Sequence, residues 1–322
     1  MGKLYEVKGH ISAFYAKYSG YVDRVLRFFL ALLTFGFINS NIGFTMLLAN
    51  PFMSIAVSLI CAFLPTVMTV VFAMFVVLVH VYTVSMGMEI VLMVILLVMY
   101  ALYLRYTPGK ATILLLVLIS HMLGMPMVIP VIFGLVGSPI CIVAISMGTL
   151  FYYMIDYVRS YAILIGTVAE TGIMEQISAY TQQIFTNNIM WATIVSYGLV
   201  LLIVYYLRKL AVDHAWKIAI IAGVLSNLIV MAFANVIIDV PVDYTTLLIG
   251  SILSVVVAML VEFFAFSVDY SRTEYLQFED DEYYYYVKAV PKMSVAAPEK
   301  TVKRINERQD SDETDEILEE EL

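Results

Sequence analysis

An all-α integral membrane protein, with about six to eight transmembrane helices, two proline-broken or re-entrant segments, a small cytoplasmic β-hairpin and a disordered tail, is the fold this sequence predicts. Three observations carry the prediction. Of the 322 residues, 62% are hydrophobic and the mean hydropathy is +0.90, against about 45 to 50% apolar residues in a soluble domain. Residues 269–322 hold 16 acidic and 7 basic side chains, so the net charge of −8 belongs to the tail and the first 268 residues come to +1. Prolines cut two apolar runs, Pro51 to Thr83 and Ala111 to Leu135, where unbroken helices would otherwise be expected.

Four regions follow: an amphipathic interfacial helix over 1–27, a transmembrane domain over 28–267, a hairpin over 268–292 and a charged tail over 293–322. In the first, Val7, Ile11, Phe14, Tyr18, Val22 and Val25 recur at helical spacing opposite Lys8, Lys17, Arg24 and Arg27. Basic residues beside a span stay cytoplasmic, which places the N-terminus inside. Span one, Phe28 to Leu48, carries Asn39, Ser40 and Asn41 near its middle, and is expected to remain as an anchor because no cleavage site follows it. Gly36, Ser40 and Gly43 share one face, which should meet another helix.

Pro51 to Thr83 would be a helix of about 50 Å at 1.5 Å per residue, against a hydrocarbon core of about 30 Å. It must break, and Pro65 is the place, because proline removes a backbone hydrogen bond and clashes with the preceding turn. Two short crossings and a re-entrant hairpin both remain open. Glu89 to Leu104 is the next span, ending in a basic loop with Arg105 and Lys110. Ala111 to Leu135, cut by Gly124, Pro126 and Pro130, reads as a second re-entrant hairpin entering from the opposite face.

Ser138 to Tyr157 crosses to the outside, and Ser160 to Asn188 holds an outer interfacial helix through Ile173, Ile177, Tyr180 and Ile184. Met190 to Leu207, Lys217 to Val236 and Tyr244 to Phe266 alternate between basic and acidic loops, as the inside rule requires. Glu274 to Phe278 and Glu282 to Ala289 are strands around an acidic turn. The end of the chain, rich in Asp and Glu, has a composition typical of disorder.

The stretch Phe278-Glu279-Asp280-Asp281-Glu282-Tyr283-Tyr284-Tyr285-Tyr286-Val287-Lys288-Ala289-Val290-Pro291 resembles one found in uncharacterised polytopic membrane proteins of Firmicutes. The resemblance implies a bacterial plasma membrane and no particular activity.

Discontinuous helices at membrane depth mark binding sites in transporters, so the expected function is a small-solute or ion permease component. Its path would be bordered by Asn39, Ser40, Asn41, Asn227 and Glu262. Glu262 extends the small-residue row Gly250, Ser254, Ala258; the plainer account is a pairing with Lys217 on the preceding antiparallel helix. Asn227 ends the row Ala215, Ala219, Gly223, and it and Asn235 serve equally well as interhelical hydrogen bonders. His80 and Glu89 flank one turn as a proton-handling pair, or as an interfacial hydrogen bond. His121 reads as a satisfied lone histidine.

The other class of function is a non-transporting scaffold whose hairpin and acidic tail recruit a cytoplasmic partner. The expected partners are thus the lipid bilayer, a small solute or ion, and either further copies of the chain or a separate cytoplasmic protein, with no nucleic acid. Cys61 and Cys141 lack metal-ligand spacing, so no metal is expected. No HExxH, GxSxG or Walker loop occurs, so neither an enzyme nor a cofactor is expected.

Overall fold

A computed structural model of the chain describes residues 2–165, 172–265 and 274–290. The charged tail predicted over 293–322 lies outside them. The structure is 81% helical with a two-stranded antiparallel hairpin. It divides into two compact units, Ser12–Ser267 and a second made of Met1–Ile11 with Val268–Leu322.

Among the described residues, six helices are long and apolar enough to cross a bilayer: Val7–Ile42, Met86–Leu104, Cys141–Ala162, Asn188–Leu207, Ala215–Ile238 and Tyr244–Ala265. The chain is therefore a multi-pass membrane protein. Two helices show the arrangement expected in lipid, with small and polar residues turned inward and large apolar ones outward. On α11 (Ala215–Ile238), Ala219, Gly223 and Asn227 are buried while Ile221, Leu225, Ile229 and Phe233 are exposed. On α12 (Tyr244–Ala265), Gly250, Ser251, Ser254 and Ala258 face inward.

The first helix, α1 (Gly2–Ile42), joins the expected interfacial segment to span one without a loop, with one non-helical residue, Tyr18 (φ −121°, ψ 22°). It stops at Ile42 rather than Leu48. A Cβ on Gly43 would sit 2.4 Å from the Asn39 carbonyl oxygen, so glycine is required where the chain reverses. Gly36 meets no neighbouring atom within 4 Å, and the buried stripe is Ala31, Phe35, Ile38 and Ile42 instead. Large residues, not the glycine row, make this helix contact.

A short turn of helix, α2 (Met46–Ala49), leads into α3 (Pro51–Phe63) and α4 (Thr66–Tyr82). Pro65 divides these two, as its missing N–H dictates. They are antiparallel, and their levels can be read from their contacts with α1. The Arg27 guanidinium reaches the Leu64 carbonyl at the tip, whereas Asn39 holds Leu48 and Ser54 at the entry and His80 at the exit. At about 1.5 Å per residue α3 is only about 20 Å long, well short of the hydrocarbon core.

Next come α5 (Met86–Met99), closed by a wide turn over Tyr100–Leu104, then α6 (Ala111–Met122) and α7 (Val128–Val136). Here α6 runs away from Lys110 and α7 runs back, until the Arg208 guanidinium binds the carbonyls of Leu135 and Gly137. Most of α6 is buried, from Ala111 through Ser120. Buried α7 residues Val131 and Leu135 pack with Val200, Val204, Ala219 and Ala258 in one cluster. Pro130 does not break a helix: it is the third residue of α7, where the N–H it lacks has no intrahelical partner to lose.

Around this pair stand α8 (Cys141–Ile165), α10 (Asn188–Leu207), α11 and α12. Gly148 lies against Val117, Gly134 against Val204, and Gly223 against Val204, each so close that a Cβ would come within 2.8 Å of the neighbour. The helix α9 (Ile173–Thr186) is tied to the start of α5 by the Gln176 side-chain oxygen, which accepts from the Ser85 hydroxyl and the Gly87 N–H. Its Tyr180 stacks on Tyr157.

In the second unit, β1 (Glu274–Glu279) pairs with β2 (Tyr284–Ala289), Phe278 opposite Tyr285. Asp280 shapes the turn by accepting the N–H groups of Glu282 and Tyr283 and the Tyr285 hydroxyl. These donors hold its carboxyl below the usual carboxylate range.

Candidate functional site

The residues proposed from sequence to border a path separate into three places. Asn39 donates to the Leu48 carbonyl and the Ser54 hydroxyl, both at 2.8 Å, and accepts from His80 Nε2 at 3.1 Å. His80 Nδ1 in turn accepts the Thr45 N–H at 3.1 Å. Both ring nitrogens are thus taken, which leaves neither for Glu89. Ser40 and Asn41 bond the Phe37 carbonyl of their own helix, and the Asn41 oxygen accepts from Arg159. This cluster ties the α1–α2 turn and both ends of the α3–α4 pair together, and its hydrogen bonds are made within the protein.

Glu262 lies near the other end of the bundle, within electrostatic reach of Lys217 and His214. Asn235 donates to the Val240 carbonyl and accepts the Tyr244 hydroxyl, so it shapes the α11–α12 loop.

Asn227 is different: it lines a cavity of about 250 Å³ at the α6–α7 break. The break itself forms this wall. Gly124 adopts φ +69°, the left-handed conformation that glycine tolerates without a Cβ penalty. The Met125 N–H returns to the Ser120 carbonyl and the Gly124 N–H to His121, the double closure of a helix end on a left-handed glycine. Pro126 then prevents α6 from continuing. The main-chain donors of Gly124 and Met125 are therefore paired, and the open polar groups are on side chains.

Four rings form the second wall. His121 stacks on Tyr152 at 4.1 Å, with Tyr153 edge-on and Tyr197 tilted beside it. Tyr153 donates to the Thr193 hydroxyl (3.2 Å), because Thr193 already donates to the Ile189 carbonyl at 2.7 Å. His121 Nδ1 donates to the Val117 carbonyl at 2.9 Å, so Nε2 of the neutral ring is an acceptor, and it is buried without a partner. Ser251, on the third wall, also has a buried hydroxyl without a partner. Asn227 gives its carbonyl to Ser196 at 2.7 Å, which turns its amide side chain to bridge α10 and α11 beside the cavity.

Asp243 and Thr246 stand at the rim, with Pro241 and Val242 of the loop. The Asp243 carboxylate accepts the Thr246 hydroxyl and the N–H groups of Thr245 and Thr246, which hold it below the usual carboxylate range. It is therefore ionised at neutral pH. Counting at about 1.5 Å per residue, His121 lies about 16 Å along α6 from Lys110 and Ser251 about 10 Å along α12 from Tyr244. The cavity is thus well inside the bundle. From Ser251 to Glu262 is about 16 Å more, so Glu262 is outside it.

Ser251 and the tyrosines of α8 and α10 were not identified by sequence reasoning. Two signals were present: Ser251 follows Gly250 on the small-residue row, and the pair Tyr152–Tyr153 interrupts an otherwise apolar span. Among the described residues, no group of three or more His, Cys, Asp or Glu side chains has the arrangement of a metal site. Comparison with protein-family models, curated proteins and solved structures finds no match to this chain.

Proposed function

We propose that the chain is a component of a small-solute permease in a bacterial cytoplasmic membrane, with the cavity at the α6–α7 break as its solute site. One observation carries the reading: a polar-spotted hollow at membrane depth, beside a helix break, whose lining includes buried groups with no partner. In lipid such groups cost several kcal/mol each, a cost that a bound solute relieves. The path retains Asn227 and adds His121, Tyr197 and Ser251.

In this reading α3–α4 and α6–α7 are re-entrant pairs that enter from opposite faces. The α3–α4 tip sits beside Arg27, while the mouth of α6–α7 sits beside Lys110 and Arg208. The ends carrying these cations are cytoplasmic under the positive-inside rule. The cavity then opens toward the opposite face, where Asp239 and Asp243 lie.

The test is flux into proteoliposomes. Permeation of small solutes above that of protein-free vesicles, abolished by Ser251→Trp and retained in Ser40→Ala, is the expected result. Flux equal to that of empty vesicles for every solute small enough for the cavity would overturn the reading.

A scaffold role has its own support. Tyr275, Phe278, Tyr284 and Tyr286 of the hairpin are exposed, and two strands alone are only marginally stable, so a partner would bury them. Deleting residues 268–322 separates the two readings: flux survives under the first and function is lost under the second.

A further inference from the structure

We infer that the cavity at the α6–α7 break takes a small organic cation, an ammonium group carried on a branched or cyclic apolar body. The inference rests on the solute-site reading above and names the class of solute.

Charge is the first argument. No Lys or Arg lines the cavity, and its one formal charge is the Asp243 carboxylate at the rim. Without a counter-cation, a carboxylate or phosphate would lose its hydration and gain nothing in return. A cation approaching the mouth instead meets a carboxylate there.

The second argument is the lining. Tyr152 is stacked between His121 and Phe37, which leaves Tyr153 and Tyr197 beside His121 as the rings with faces to offer, and an aromatic face away from water holds a cation with about 2 kcal/mol. The two unpartnered atoms ask for the same ligand. His121 Nε2 accepts only, and the Ser251 hydroxyl, on a residue 4% exposed, accepts as readily as it donates. An ammonium N–H satisfies both kinds of group.

Size and polarity exclude the other small cations. A bare alkali ion needs a shell of oxygens, while Met127, Met231, Ile189 and Leu247 make up much of this surface. A volume of about 250 Å³ equals about eight waters of liquid, far more than one dehydrated ion fills. A polyol of that size would leave its hydroxyls against methyl and thioether groups. An ammonium with an apolar body matches both parts of the wall.

The probes are three molecules of one shape: isopentylammonium, isopentanol and isovalerate. Their binding to the purified full chain in lipid nanodiscs is followed by calorimetry and by intrinsic tyrosine fluorescence. The cation should bind at least about tenfold tighter than the alcohol, and isovalerate should not bind. Tyr197→Leu should remove that preference while leaving the affinity for the alcohol within about twofold, and Tyr197→Phe should restore it. Restoration by the conservative ring shows that the π face, not a loss of folding, is being read.

Equal binding of cation and alcohol, or tighter binding of isovalerate, overturns the cation class, and loss of that binding in Ser251→Trp shows that the cavity is still the site. If none of the three binds, and Ser251→Trp changes no signal, both the class and the cavity reading fall.

Discussion

The α3–α4 and α6–α7 pairs share a design in sequence and differ in finish. Each is two short helices split by a proline. In α3–α4 the polar groups at the break and at both ends are joined to one another, Arg27 to Leu64, Asn39 to Ser54 and His80, and His80 to the Thr45 N–H, which leaves the Thr45 hydroxyl as the one atom of this network without a partner. One face of α3 presents Phe52, Leu59 and Phe63 outward. In α6–α7 the helices are enclosed by α4, α8, α10, α11 and α12, and polar atoms of His121 and Ser251 beside the break have no partner. A densely joined network with almost no space beside it, about 10 Å³ next to Asn39 and Ser54, fixes a shape, whereas unpartnered atoms beside a hollow of about 250 Å³ have room for a ligand.

The largest expected effect breaks the joined network. His80→Ala strands the Asn39 oxygen and the Thr45 N–H, and should destabilise the protein by about 3 to 5 kcal/mol, measured by unfolding in detergent. His121→Ala loses three ring contacts and one local hydrogen bond but strands no partner side chain and enlarges an existing hollow, so it should cost about 2 kcal/mol, yet abolish cation binding. If the two histidines cost the same, the contrast between the pairs fails.

A contrast of glycines comes next. A Cβ at Gly250 would lie 2.5 Å from the Gly124 carbonyl oxygen, so Gly250→Ala must push α12 off the break, at about 2 to 3 kcal/mol. Gly36→Ala meets open space and should stabilise α1 by up to about 1 kcal/mol through helix propensity. Thermal unfolding of the two variants should therefore shift in opposite directions.

Acid sharpens the picture at the rim. The Asp243 carboxyl is held below its ordinary value in the folded state, so its capping of α12 is fully present above about pH 4 and is lost as pH falls through the lowered value. The protection factors of the Thr245 and Thr246 amides, taken relative to the intrinsic exchange rate at each pH, should be flat from neutral pH down to that point and then fall; Asp243→Asn should remove the acid limb. The smallest effect belongs to Glu262→Gln, under about 1 kcal/mol for a group near the helix end, with cation binding unchanged.

Much of this was readable in the residues. Apolar run lengths place the six spans, the small-residue rows on α11 and α12 do turn inward, and Pro65 and Pro126 fall at helix ends. The role of the polar residues was harder to read, because spacing shows which side chains share a helix face but not who faces them. Asn39 sits in a polar knot that looks like a binding site until His80, 41 residues away, proves to be its partner. His121 looked satisfied because one nitrogen is; the other is isolated by Tyr152 and Tyr197, which arrive on helices far along the chain. Pro130 looked like a break because position within the first turn of α7 depends on where Gly124 ends α6.

The central claim is that the α6–α7 break borders a space that solutes reach, and that the α3–α4 break does not. Cysteines placed singly at Ser251 and at Ser54, in a chain whose Cys61 and Cys141 are replaced by Ala, test it with a membrane-impermeant thiol reagent. The account predicts rapid modification at 251, slowed by isopentylammonium, and none at 54. Equal protection of both positions would contradict it.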